Sequence, residues 1–144
     1  DLIVIHCSAT KPNHDVDTQE IRRWHVQRGF IDVGYHFIIR LDGSLEFGRP
    51  EDVRGAHCKG HNWRSIGICL VGGLDDEGEP ANTYNDAQLI TLRSLVKDLQ
   101  ARFDVTDVKG HNELDSGKAC PCATVEELLD GLLPTKDSPT PSEA

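Results

Sequence analysis

Two stretches of this chain, LIVIH at 2–6 and SIGICLVGG at 65–73, place apolar residues one after another, many of them β-branched. Short runs of that kind read as strands buried on both faces, and such strands need other elements to cover them. The segments between and after supply the cover. DTQEIRRWHVQRG, 17–29, reads as a helix with Asp17 as N-cap and Glu20 at the capping-box position; Ile21 and Trp24 share a face and Gly29 is the stop. A second helix runs from Asn85 to about Phe103: Asn85 and Gln88 form the cap pair, and Leu89, Leu92, Leu95, Val96, Leu99 and Phe103 repeat at helical spacing.

Further strands fill the gaps. YHFIIRLDGSLEFGR, 35–49, reads as two strands joined by a two-residue hairpin at Asp42-Gly43, and VTDVKGH, 105–111, reads as another strand. TVEELLDGLL, 124–133, forms a short last helix behind a Thr124/Glu127 capping box. The prediction is an α/β fold: a single domain over 1–133, with a central mixed β-sheet flanked by α-helices. From 134 to 144 the chain is Pro, Ser, Thr and charge, and a disordered tail is expected there.

Charge narrows the function. Lys and Arg total 15 against 24 acids, for a net charge of −9, and no stretch concentrates the basic residues. Nucleic-acid binding, which draws most of its affinity from phosphate neutralisation, is disfavoured. No apolar run is long enough to cross a bilayer, so membrane insertion is not expected, and nothing at the start reads as a signal peptide. The five cysteines, at 7, 58, 69, 120 and 122, fit reduced thiols better than a disulfide framework, and lean towards metal binding.

The chemistry gathers in GHNELDSGKACPC, 110–122, where glycines and Pro121 forbid one long helix. His111 and Cys120 are nine residues apart with turn formers between, so both can bend to one point. A catalytic metal site needs about three protein ligands and an open position. His6 is the best third donor, because it ends a buried strand where side chains emerge. Alternation along that strand sends Cys7 the other way. The bland alternative is a hydrogen-bonded core histidine.

Two other chemistries compete for these residues. HNE followed by PC resembles the zinc deaminase pattern, but the second cysteine of that pattern falls on Val125. A cysteine nucleophile paired with one of the seven histidines is a second option. Such a thiol favours a helix N-terminus, whereas Cys120 precedes Pro121 on a loop.

Read in order, VIHCSATKP, VGYHFIIRLDGSLEFGR, GAHCKGHNWRSIGICLVGG and GHNELDSGKACP resemble the zinc-dependent N-acetylmuramoyl-L-alanine amidases of the phage lysozyme type, relatives of the peptidoglycan recognition proteins. The resemblance covers roughly residues 2–130. It implies a zinc ion at the floor of a surface groove, with His6, His111 and Cys120 as its ligands. It also implies Tyr35 beside the metal, orienting the attacking water, and Lys118 stabilising the oxyanion. His57 and Asn62 would border the groove and contact substrate, and Glu113 would support His111 if the strand continued through it. His36 is read as packing, and His14, His25 and His61 receive no role. Cys122 stands where relatives carry a small residue, which leaves open whether it competes for zinc or forms a disulfide.

The activity implied is that of an endolysin acting on peptidoglycan. It would be a monomer made in the host cytoplasm, cutting the amide between N-acetylmuramic acid and L-alanine once the membrane is permeabilised. The alternatives are a recycling amidase on soluble anhydro-muropeptides and a non-catalytic peptidoglycan-binding module.

Overall fold

The computed structural model describes residues 2–105 and 107–129. β1 (Leu2–Cys7) is buried along its length and pairs in parallel with β4 (Ser65–Leu70) on one side and β5 (Asp107–Gly110) on the other. β2 (Phe37–Ile39) adds in parallel beyond β4, and β3 (Leu45–Phe47) closes that edge antiparallel, in the order β3-β2-β4-β1-β5. The sheet is mixed, as expected. The two continuous apolar runs become β1 and β4, two of its three inner strands, where both faces must be apolar.

Alternation assigns the faces. Ile3, Ile5, Phe37, Ile68 and Leu70 pack against Leu92, Leu95, Val96 and Leu99 of α2 (Asp86–Arg102) and Leu128 and Leu129 of α4 (Val125–Leu129). Ile38, Cys69 and Val71 point the other way, onto Ile21 of α1 (Thr18–Gln27) and onto Val16 and Val33. Leu2 and Val4 share that second face with Cys58, and the next residue in the same register is His6. Each fully buried Ile, Leu or Val contributes about 1.5–3 kcal/mol, so the register of β1 is firmly held.

The helix ends follow local chemistry. Asp17 accepts the Glu20 N–H at 2.8 Å, and Asn85 and Gln88 exchange the two bonds of a capping box at 2.9 and 3.2 Å. Thr124 and Glu127 do the same for α4 at 3.1 and 2.9 Å. The predicted continuation of that helix to 133, and the tail over 134–144, lie outside the described residues.

Two expectations are corrected. The hairpin turn is longer than two residues: Arg40 accepts from Gly43 and donates to Ser44, so Leu41, Asp42 and Gly43 form the loop. Gly43 takes φ +84, the left-handed conformation that closes such a turn. The last strand stops at Gly110, and α3 (His111–Leu114) starts at once. Among the described residues no helix is long and apolar enough to cross a membrane.

Candidate metal centre

His6 is the second-last residue of β1 and is buried at 1% exposure. The register pairs Ile5 with Gly110, so the end of β5 lies beside it and His111 follows as the first residue of α3. The loop then folds back: Asn112 donates its backbone N–H to the Cys120 carbonyl at 2.8 Å and its side-chain amide to Ala119 at 3.3 Å. That closure brings Cys120 under the two imidazoles.

Three donor atoms converge. His6 Nδ1 lies 3.1 Å from His111 Nδ1, and Cys120 Sγ lies 3.8 Å from each. A tetrahedral ion with metal–nitrogen bonds of about 2.05 Å and a metal–sulfur bond of about 2.3 Å would set its ligands ~3.3 Å apart for N···N and ~3.6 Å for N···S. The observed separations differ from these by a few tenths of an ångström, so the donor set fits such an ion. Among the described residues, this trio is the group of His, Cys and acidic side chains spaced to hold a metal.

The donors are held in the state ligation needs. Burial, with the adjacent His57 and His111 adding to it, keeps the His6 imidazole well below its ordinary pKa. Burial also lowers His111, and the Lys118 charge lowers it further. Both rings are therefore neutral with a lone pair available, as metal binding requires. The backbone N–H of Cys7 donates to Cys120 Sγ at 3.2 Å and fixes the sulfur against β1.

A groove opens over the cluster, and Tyr35, His57, Asn62 and Lys118 line it with the three donors. The Tyr35 ring packs 5.0 Å from the His6 ring, and burial first, then the thiols of Cys69 and Cys120, holds its hydroxyl well above the usual range. It is a neutral phenol. Asn62 Oδ1 accepts the backbone N–H of His57 and of Cys58, both at 2.9 Å, and so shapes the wall. Both ring nitrogens of His57 are engaged within the protein, Nδ1 with His6 at 2.8 Å and Nε2 with Ser65 at 3.2 Å.

Other residues fall differently from the sequence reading. Glu113 does not share a strand face with His111, because the strand has ended; its carboxylate accepts the Gly110 N–H at 2.6 Å and braces the turn into α3. Cys122 faces Cys7 across 3.9 Å, on the side of β1 away from His6, and all five cysteines are free. Burial and the neighbouring Cys7 push its thiol up to about 12. His36 packs as expected, accepting from Gly67 N–H at 3.0 Å and donating to the Val53 carbonyl at 2.7 Å.

His25, given no role from sequence, lines the groove with its ring 5.3 Å from that of Tyr35. Its spacing of four from Ile21 on the buried face of α1 was the available signal. Arg28 and Lys59 also line the groove, and nothing in their local sequence marks them.

His6 near the end of an inner strand, His111 just past the edge strand β5 and Cys120 on the returning loop make a candidate metal site beneath an open groove, an arrangement of the hydrolase class. A family profile for N-acetylmuramoyl-L-alanine amidases matches residues 1–123. The endolysin of Escherichia phage T7 is 50% identical over 121 residues, covering 84% of this chain and 80% of that one. Among solved structures, the N-acetylmuramoyl-L-alanine amidase LysC from Clostridium intestinale URNW superposes with a TM-score of 0.79 at 32% identity, over 91% of this chain and 83% of that chain. Bumblebee PGRP-SA shares the fold, with a TM-score of 0.76 at 23% identity over 96% of this chain and 84% of its own. The chain belongs to the N-acetylmuramoyl-L-alanine amidase family and is an enzyme of the phage endolysin type.

Proposed function

We propose that the chain hydrolyses the amide joining the lactyl group of N-acetylmuramic acid to L-alanine of the peptidoglycan stem peptide, with zinc held by His6, His111 and Cys120. The convergence of those three donors beneath an open groove carries the reading. When bound, zinc supplies Lewis acidity and a water acidic enough to attack near neutral pH. One thiolate among the ligands lowers the site's net charge to about +1, so neighbouring groups have work to share.

Tyr35, a neutral phenol beside His6, orients the attacking water through its hydroxyl. Lys118, exposed on the groove wall, brings a cation to the oxygen that becomes negative as the carbonyl turns tetrahedral. His57 and Asn62 form the neighbouring wall, against which the sugar or peptide rests. The catalytic domain spans 1–133, acts as a monomer, and meets the cell wall only after the host membrane is permeabilised.

The test is chelation followed by reconstitution. Purified protein should carry about one zinc and release stem peptides from sacculi; a strong chelator should abolish release, and zinc should restore it. Unchanged release after complete metal loss would overturn the reading. Cleavage confined to soluble anhydro-muropeptides would assign a recycling enzyme instead.

A further inference from the structure

His6 has two ring nitrogens, and only Nδ1 faces His111 and Cys120. A neutral imidazole offers a lone pair on just one of them, so the proton must sit on Nε2 for Nδ1 to serve as a ligand. A chain of hydrogen bonds behind His6 dictates where that proton goes. It reads unambiguously from its far end.

The Ser65 hydroxyl lies 2.7 Å from the His61 carbonyl, which can only accept, so the hydroxyl donates there. With its single proton spent, Ser65 Oγ accepts at its other contact, 3.2 Å from His57 Nε2. His57 Nε2 therefore carries a proton. The His57 ring is buried and none of its partners, the Ser65 backbone included, is a carboxylate, so it is neutral and its Nδ1 is bare. At 2.8 Å, that bare nitrogen accepts from His6 Nε2–H. The lone pair of His6 is left on Nδ1, aimed at the other two donors.

The His57 ring has little room to choose another arrangement. A Cβ at Gly67 would lie 2.6 Å from its Cγ, and one at Gly55 would lie 2.6 Å from its Cδ2. Asn62 holds the backbone of the same residue.

We propose that His57 and Ser65 are positioning residues: a one-way relay from the His61 carbonyl holds His6 in its Nε2–H tautomer before any metal arrives. The relay rests on the metal-centre reading of His6, and its effect is on metal affinity rather than on substrate. Partners of this kind, behind a ligating histidine, change metal affinity by about 10–100-fold when removed.

The experiment uses the metal-free protein with nitrogen-15-labelled histidine, and the same protein titrated with zinc against a competing chelator. The wild type should show His6 as the Nε2–H tautomer without metal. Ser65→Ala should mix its tautomers and weaken zinc binding by about 10-fold or more, with amide resonances outside the site unmoved. Ser65→Thr, which restores the hydroxyl, should rescue both.

Wild-type zinc binding with an unchanged Ser65→Ala protein would overturn the relay and leave the metal centre standing. A wild-type His6 protonated on Nδ1 would also overturn it. Absence of zinc binding with the Nε2–H tautomer present would sink the metal reading while supporting the relay.

Discussion

The backbone N–H of Cys7 donates to the sulfur of Cys120 across 3.2 Å, tying the last loop to the strand that carries His6. Cys122, two residues on, turns its thiol to that of Cys7 at 3.9 Å, on the far side of that strand. The two cysteines therefore have separate tasks. Cys120→Ser should lose most of its zinc after dialysis, and Cys122→Ser should keep a full complement, both read by metal analysis. The reverse pattern would assign the ligand to Cys122.

Tyr35 and Lys118 flank the donors without belonging to them. Lys118→Ala should retain zinc and lose turnover on sacculi by roughly 10²–10³-fold, the usual cost of an oxyanion donor. Tyr35→Phe should lose about 10²-fold or more, since only the hydroxyl is removed and the ring packing stays. Zinc content and kcat measured on the same samples check both. Full turnover in either variant removes that residue from the reaction.

Gly67 shows how backbone makes space for the site. An alanine there would press into the His57 ring at 2.6 Å, on an inner strand that has no freedom to retreat. Gly67→Ala should destabilise the fold by about 1–3 kcal/mol, the range for overpacking, and should weaken zinc binding as His57 leaves His6. Urea unfolding and a chelator titration report the two effects. A protein unchanged in both would show that the ring is not confined.

Buried neutral histidines make stability depend on pH. Burial first, then the charges of Arg28 and Arg49, lowers His25 from 6.5 to about 4. Burial likewise lowers His36. The unfolded chain takes up these protons near 6.5, whereas the folded chain resists them until lower pH, so the unfolded state binds more protons in between. Stability is complete above that window and falls as pH drops through it, by up to about 3 kcal/mol for His25. Urea midpoints of the metal-free protein should decline steadily from about pH 7 to about pH 4. A level profile would mean that these rings protonate freely in the folded state.

Much of this was legible along the chain, because the controlling interactions are local. Asp17 and Glu20, Asn85 and Gln88, and Thr124 and Glu127 are three residues apart and cap their helices wherever those helices go. The apolar runs at 2–6 and 65–73 can be satisfied only by burial on both faces, and period-two alternation was enough to set His6 and Cys7 on opposite sides. The donor trio was likewise anticipated, through strand ends, turn formers and a family resemblance.

The relay behind His6 was not legible. His57 is 51 residues from His6 in sequence, and the two meet because parallel pairing sets β4 beside β1 and because Gly67 lacks a side chain. Glu113 turned from the imidazole to a backbone N–H once β5 ended at Gly110, which depends on how the strand packs. Local residue types state what each segment is able to form and which groups are able to bind a metal. Which hydrogen bond each imidazole makes, and so which nitrogen keeps its lone pair, is set by neighbours that only the folded sheet brings within 3 Å.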